Sequence, residues 1–385
     1  MELFILLMLV YLAGLTLGVI LEKLKIPWIF AALFLGIILN EFHIFSTSLS
    51  SSTFYVLSSL GMLFMLFIIG FEIDVREILR SSKFIFTSTF FIILAECFFG
   101  TLLLHFIFSY PLIVSIIVAL SFATVGEAVL LPILDELKLV KRKIGELIIS
   151  IGAMDDAFEV LALVLVSVFL GVKSEVNVSN VILSLLLLFL LTGILIKMRK
   201  WIRKEFKIRT LKYHLLAISL FFFFVFLAIG KYGELMAIAA LLSGITISNF
   251  LPRQLLKEIE SEIRVLAYGF FAPIFFLWVG ATTSLDSVFN FPILTILIFI
   301  VASLSKILSS LAVGSREIGK KASLLLGVGL CVRFSTSLVI VKMLYEASII
   351  STSLYSALVT VSAVSTILVP FVFTYLARKW AKEVR

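Results

Sequence analysis

The sequence predicts an all-α polytopic membrane protein of about thirteen transmembrane helices. Three observations carry that reading. Of the 385 residues, 62% are hydrophobic and only 15% are charged, which no ordinary soluble domain shows. The apolar residues gather into runs near the roughly 20 that a helix needs to cross a bilayer. The basic residues fall almost entirely in alternate connections between those runs.

The spans run roughly over 2–22, 27–42, 54–72, 84–108, 111–134, 144–170, 180–197, 214–230, 234–250, 263–282, 291–313, 322–345 and 352–377. The first lacks a basic leader and a small-residue cleavage site, so it reads as a retained helix. It closes on Lys23 and Lys25. The third closes on Arg76, Arg80 and Lys83, and the fifth on Lys138, Lys141, Arg142 and Lys143. Eight bases between Lys197 and Lys212 follow the seventh. Arg253, Lys257 and Arg264 follow the ninth, Arg316, Lys320 and Lys321 the eleventh, and Arg378, Lys379, Lys382 and Arg385 the last. These positions hold 27 of the 32 bases. The opposite loops hold only Lys173 and Lys231, and Lys306, Arg333 and Lys342 lie within spans. The bias puts the N-terminus outside and the C-terminus in the cytoplasm of a cell-membrane protein. The net charge of +8 therefore marks orientation, not nucleic-acid binding. The loop from Lys197 to His214 reads as a cytoplasmic linker lying on anionic lipid headgroups.

An odd number of spans leaves six on each side of the seventh, the arrangement of inverted six-helix repeats. An offset of about 209 residues pairs the fifth span with the twelfth, Glu96 with Ser305, and Asp156 with Ser365. Cys97 and Cys331 sit in apolar runs and read as packing residues. His43, His105 and His214 are scattered, so no metal cluster or cofactor is expected.

Ionisable groups at bilayer depth are costly, so they face a protein interior or water and mark function. Glu96, Glu127, Asp155, Asp156 and Glu159 fall inside spans, with Lys306 and Arg333 as deep bases. Lys342 is nearer a span end, where a lysine snorkels, and receives no role. Asp155 and Asp156 are helix neighbours whose side chains diverge by about 100°. One can meet a neighbouring helix while the other faces a cavity. Glu159 shares their broad face, and a charge-paired packing contact is its alternative reading. Lys306, in FIVASLSKILSSLAVG, is flanked by small residues that permit close packing. It is the natural counter-charge for one aspartate, either structuring the site or carrying a proton.

Two spans look breakable. SFATVGEAVLLPILDEL holds Gly126 beside Thr124 and Glu127, then Pro132, which cannot donate a helix bond. GVGLCVRFSTSL holds Gly327 and Gly329 before Arg333, Ser335 and Thr336. Interrupted helices in corresponding halves point to a midplane ion site, although small residues also serve packing.

These residues resemble the monovalent cation:proton antiporters, in particular the double-aspartate electrogenic branch typified by NhaA and NapA. The opening hairpin YLAGLTLGVILEKLKIPWIFAALFLGIILN, the third-helix stretch LGMLFMLFIIGFEIDVREILR, the broken helix followed by ISIGAMDDAFEV, and the Lys306 segment carry the likeness over nearly the whole chain. The resemblance implies the NhaA-like fold with two broken, crossing helices and a homodimer. Within a single transporter, 84–170 and 291–377 would form a mobile core. Residues 2–72 and 214–282 would form a dimerisation scaffold, and 180–213 a linker helix and basic loop. It further implies that Asp156 is the main carboxylate for cation and proton, that Asp155 partners Lys306, and that Thr124 supplies oxygen. NapA-like relatives often carry an acid shortly after the arginine matching Arg333. Here Phe334, Ser335 and Thr336 follow, so Arg333 needs another partner, with Glu127 and Glu96 the candidates.

The expected function is secondary active exchange of Na+ or Li+, held at Asp156 and Asp155, for protons. A carboxylate in a partly dehydrated cavity holds either a proton or a hard cation, and oxygen ligands suit the latter. If Lys306 sheds its proton as the cation arrives, two protons move against one cation and exchange is electrogenic. No GxxxxGK[ST] occurs, so an ion gradient is the energy source. K+/H+ exchange on the same fold is the alternative, and a channel is more remote. An intramembrane aspartyl protease needs carboxylates that face each other and carries GxGD, neither of which fits. The protein is not read as an enzyme.

Overall fold

Helices occur wherever the sequence places its apolar runs. The computed structural model describes residues 2–72, 82–173, 178–205, 212–251, 253–333 and 335–380, and all regular structure among them is helical. The end of the third-helix stretch (73–81), part of the basic loop (206–211), Phe334 and the last five residues lie outside this set. So do the side chains of Glu127, Asp156, Glu159 and Ser335, whose backbones are described.

In chain order the principal helices are α1 (Glu2–Lys23), α2 (Phe30–Glu41), α3 (Ser52–Glu72), α4 (Lys83–Leu102), α5 (Leu112–Phe122), α6 (Glu127–Glu136), α7 (Lys143–Lys173), α8 (Val178–Glu205), α9 (Lys212–Tyr232), α10 (Met236–Phe250), α11 (Arg253–Arg264), α12 (Ala272–Ala281), α13 (Pro292–Gly314), α14 (Lys320–Gly329), α15 (Ser335–Glu346) and α16 (Thr352–Lys379). Local chemistry fixes several starts. The hydroxyls of Ser82 and Ser351 accept from the backbone N–H groups of Ile85 and Leu354, capping α4 and α16. Pro292 opens α13, where its missing N–H would be an orphan anyway.

Among the described residues, eight helical segments are long and apolar enough to cross a membrane. They coincide with eight of the thirteen expected spans. The other five are helical but differ for identifiable reasons. α2 and α10 are short. The fifth and twelfth spans are each two short helices, α5 with α6 and α14 with α15. The long α7 carries Asp155, Asp156 and Glu159 in its middle.

The chain forms two compact units. One contains Met1–Ser51, Glu77–Glu159 and Phe276–Arg385, the other Ser52–Arg76 and Val160–Phe275. The first 51 residues pack in the unit that holds 84–159, because α2 crosses the end of α12.

Apolar burial drives little association between helices in lipid, so close packing must do the work. In the first unit, α6, α7, α14 and α16 meet around Leu130, Leu134, Ile148, Leu325 and Phe373. There too Gly36 of α2 meets Gly280 of α12, and a Cβ on either would collide with the other helix's backbone, at Leu277 and Leu33 respectively. In the second unit Gly70 of α3 and Gly244 of α10 cross in the same reciprocal way, against Leu241 and Phe67. Beside that crossing, Phe64 stacks on Phe271 with ring centroids 4.1 Å apart, and Phe223 closes the cluster at 4.5 Å from Phe64.

Candidate ion-binding site

The first unit contains both helix breaks. α5 stops at Phe122 and α6 starts at Glu127; α14 stops at Gly329 and α15 starts at Ser335. Each break leaves orphan carbonyls behind it and orphan N–H groups ahead of it. The breaks touch. Gly126 N–H, at the start of α6, donates to Val332 O at 2.8 Å.

Charged side chains answer the remaining orphans with the sign the helix ends demand. Asp155 of α7 lies at the positive start of α6, where its Oδ2 accepts from Val125 N–H at 2.7 Å. Two cations lie at the negative end of α5. Lys306 Nζ donates to Thr124 O at 2.6 Å, and Arg333 Nε donates to Phe122 O at 3.3 Å. Arg333 also donates to Cys331 O at 3.0 Å, within its own break. α16 grips that break from the other side: Ser365 Oγ accepts from Arg333 at 3.4 Å, and Thr366 Oγ1 donates to Arg333 O at 2.5 Å.

Glu96 of α4 completes the cluster. Its Oε1 accepts from Arg333 at 2.5 Å. Its Oε2 lies 3.4 Å from Lys306 Nζ, an ion-pair distance, but makes no hydrogen bond among the described residues. A cavity of about 30 Å³ adjoins Glu96, its one polar lining residue among those described. That is room for about one water, and Lys306 is the described cation that faces Oε2. Glu96, Thr124, Asp155, Lys306 and Arg333 are all at most 3% exposed.

The structure thus brings together Glu96, Thr124, Asp155, Lys306 and Arg333. It selects Glu96 as a carboxylate partner of Arg333, one of the two expected. Lys306 and Asp155, expected as partners, engage the two sides of the Thr124–Val125 peptide unit, the lysine at its oxygen and the aspartate at its N–H. Among the described residues Glu96 is the carboxylate within ion-pair distance of Lys306, while Asp155 is engaged by Val125 N–H. The physical reason is the helix ends: the lysine follows the negative end of α5 and the aspartate the positive start of α6. The Thr124 oxygen in the site that these contacts identify is its backbone carbonyl.

One residue escaped the sequence reading. Lys342 of α15 does not snorkel; it is fully buried. Its Nζ donates to Thr282 Oγ1 at 2.8 Å and pairs with Glu346 at 2.8 Å. It lies 3.9 Å from the centre of the Trp278 ring and within 5.5 Å of the Tyr345 and Tyr355 rings. The i,i+4 spacing of Lys342 and Glu346 was the available signal.

Comparison with known proteins agrees with this geometry. The sequence profile of the sodium/hydrogen exchanger transmembrane family matches residues 5–379. A probable Na+/H+ antiporter 3 of Methanocaldococcus jannaschii is 27% identical over 93% of this chain and 92% of its own. A Na+/H+ antiporter of Enterococcus hirae is 28% identical over 84% of each chain. The Na+/H+-K+ antiporter GerN of Bacillus cereus is 23% identical over 92% of this chain and 90% of its own. The solved sodium proton antiporter MjNhaP1 of M. jannaschii shares the fold, with a TM-score of 0.63 at 20% identity, over 99% of this chain and 98% of that one. With two interrupted helices meeting at a buried cluster of opposite charges, and a profile match over nearly its full length, the chain belongs to the sodium/hydrogen exchanger family of membrane transporters and is not an enzyme.

Proposed function

We propose that the protein exchanges Na+ or Li+ for protons, driven by an ion gradient and without a cofactor. The observation that carries this reading is the contact of the two breaks at Gly126 and Val332, surrounded by Asp155, Lys306, Arg333 and Glu96. Freed backbone oxygens and carboxylates are ligands for a hard cation, and the same carboxylates accept protons. The names of the relatives support the choice of ions. Asp156, one residue beyond the described carboxylate, serves in this reading as the principal cation and proton carrier, with Asp155 beside it. Glu127 at the start of α6, Glu159 on α7 and Ser335 at the start of α15 have supporting roles in this reading.

The finer architecture follows the double-aspartate, NhaA-like branch: thirteen spans, N-terminus outside and C-terminus inside, and a homodimer in which a core moves past a scaffold like an elevator. Two features support inverted repeats within it. Gly36 and Gly244 are 208 residues apart and Gly70 and Gly280 are 210 apart. The repeat operation therefore carries one reciprocal crossing onto the other. In addition, Val125 is held by Asp155 of α7 and Arg333 by Ser365 and Thr366 of α16, the same relation in each half.

Exchange is electrogenic in this reading. In this reading Asp156 and Lys306 each release a proton as the cation binds, so two protons move against one cation. K+/H+ exchange is the second reading, favoured by the likeness to an antiporter whose name includes K+. A proteoliposome dye assay with Na+, Li+ and K+ added in turn over a pH series separates the two. Collapse of a proton gradient by Na+ or Li+ supports the first, and by K+ alone the second. Collapse by none of them removes both.

A further inference from the structure

Away from the charged cluster, a cavity of about 460 Å³ opens where three helix ends of the first unit meet. Lys25 follows α1, Glu136 ends α6, and Arg378 and Lys379 lie in the last turn of α16. Lys25 pairs with Glu136 at 2.7 Å and Arg378 approaches the same carboxylate at 3.7 Å. All three charges are roughly half or more exposed. One carboxylate cannot neutralise three cations, so among the described residues the rim carries an excess of two positive charges. The floor is apolar, formed by residues such as Ile133 and Phe371. Phe371 and Tyr375 of α16, both lining the cavity, are 50% and 64% exposed, as suits side chains that meet acyl chains and the headgroup layer.

A cationic rim over an apolar floor is complementary to an amphiphile with an anionic head. A free phosphate would leave the floor uncovered. A zwitterionic headgroup would bring its own cation against Lys25, Arg378 and Lys379. We propose that this cavity binds one anionic phospholipid, its phosphate at Lys25, Arg378 and Lys379 and an acyl chain along Ile133 and Phe371. Glu136 is then the internal competitor for the same cations. Its carboxyl is held below the usual range by the Lys25 hydrogen bond first and by the charges of Lys25 and Arg378, so near neutral pH it stays ionised. The site lies away from the breaks but on the helices that form and hold them. α6 begins at the Gly126 break and ends at Glu136, and α16 carries Ser365 and Thr366 against Arg333.

The test is native mass spectrometry of the purified protein with equimolar phosphatidylglycerol and phosphatidylethanolamine. Wild type should retain one phosphatidylglycerol in preference to phosphatidylethanolamine. Lys25→Gln, Arg378→Gln and Lys379→Gln should each lower its retention about five-fold, leaving phosphatidylethanolamine unchanged. Glu136→Gln should raise it by a similar factor, a gain that misfolding cannot imitate. Excess inorganic phosphate should displace nothing. Equal retention of the two lipids, wild-type retention by the triple cation variant, loss in Glu136→Gln, or displacement by inorganic phosphate would each overturn the proposal.

Discussion

Arg333 and Glu96, 237 residues apart in the chain, meet at 2.5 Å in a buried ion pair whose second carboxylate oxygen faces Lys306. One carboxylate thus serves two buried cations, while Asp155 is turned to a helix start. Removing it leaves both cations without their shared partner. Glu96→Gln should lose about 3–5 kcal/mol, the scale for breaking a buried pair by deleting one member. Thermal and denaturant unfolding in detergent measure it. A loss below about 1 kcal/mol would mean that the carbonyls of Phe122, Thr124 and Cys331 suffice.

Asp156→Asn should fold and lose cation-dependent proton movement, because the amide neither exchanges a proton nor offers a negative charge to the ion. Asp155→Asn should also fold, since its side-chain carbonyl can still accept from Val125 N–H. Robust Na+/H+ exchange by folded Asp156→Asn protein in liposomes would take this residue out of the mechanism.

Lys306→Gln should leave weaker exchange that is closer to electroneutral, because one of the two proposed proton sites is gone. The comparison is Na+/H+ exchange with and without an imposed membrane potential. A transporting variant with the full voltage response of wild type would limit Lys306 to balancing Glu96 and the Thr124 carbonyl.

Lys342 offers a graded series. Lys342→Met keeps the buried stem and loses the cation–π and ion-pair contacts, costing about 1–2 kcal/mol. Lys342→Ala also opens a cavity and should cost about 2–5 kcal/mol. Unfolding temperatures should therefore fall in the order wild type, Met, Ala. If Met matches wild type, the aromatic surround stabilises the stem alone.

The Lys25–Glu136 contact gives a pH signature with a definite sign. Because the folded carboxyl is held below its ordinary value, the contact stabilises above the usual carboxylate range near 4.3 and fades as pH falls through the lowered value. Lys25→Gln should lower the unfolding temperature slightly near neutral pH and not in strong acid. Salt should shrink the difference, since the pair is solvent-exposed. A difference that persists in acid would point to packing by the lysine stem.

Much of this was legible in the sequence, because hydropathy alone locates bilayer helices, and because Gly126 lies between Thr124 and Glu127 while Gly327 and Gly329 shortly precede Arg333, both within apolar runs. The choice of Lys306 partner was not. The lysine bonds a carbonyl 182 residues away, and a backbone oxygen freed by a break has no letter of its own. Glu96 could be named as a candidate for Arg333 but not chosen, since choosing requires knowing which helices surround the break. Lys342 was misread because proximity to a span end is a one-dimensional property. Its cage is assembled from Trp278, Tyr345 and Tyr355, which come from three helices.

The bond from Gly126 to Val332 joins backbone to backbone. Apart from proline at position 126, no single replacement deletes either of its atoms. Mutation can therefore explore the surrounding side chains without erasing the joint itself. Lineages descended from such a scaffold could trade one transported ion for another through changes at neighbouring positions while inheriting the crossing intact. The most widely shared part of the site would then be the part that an alignment of residue types displays least.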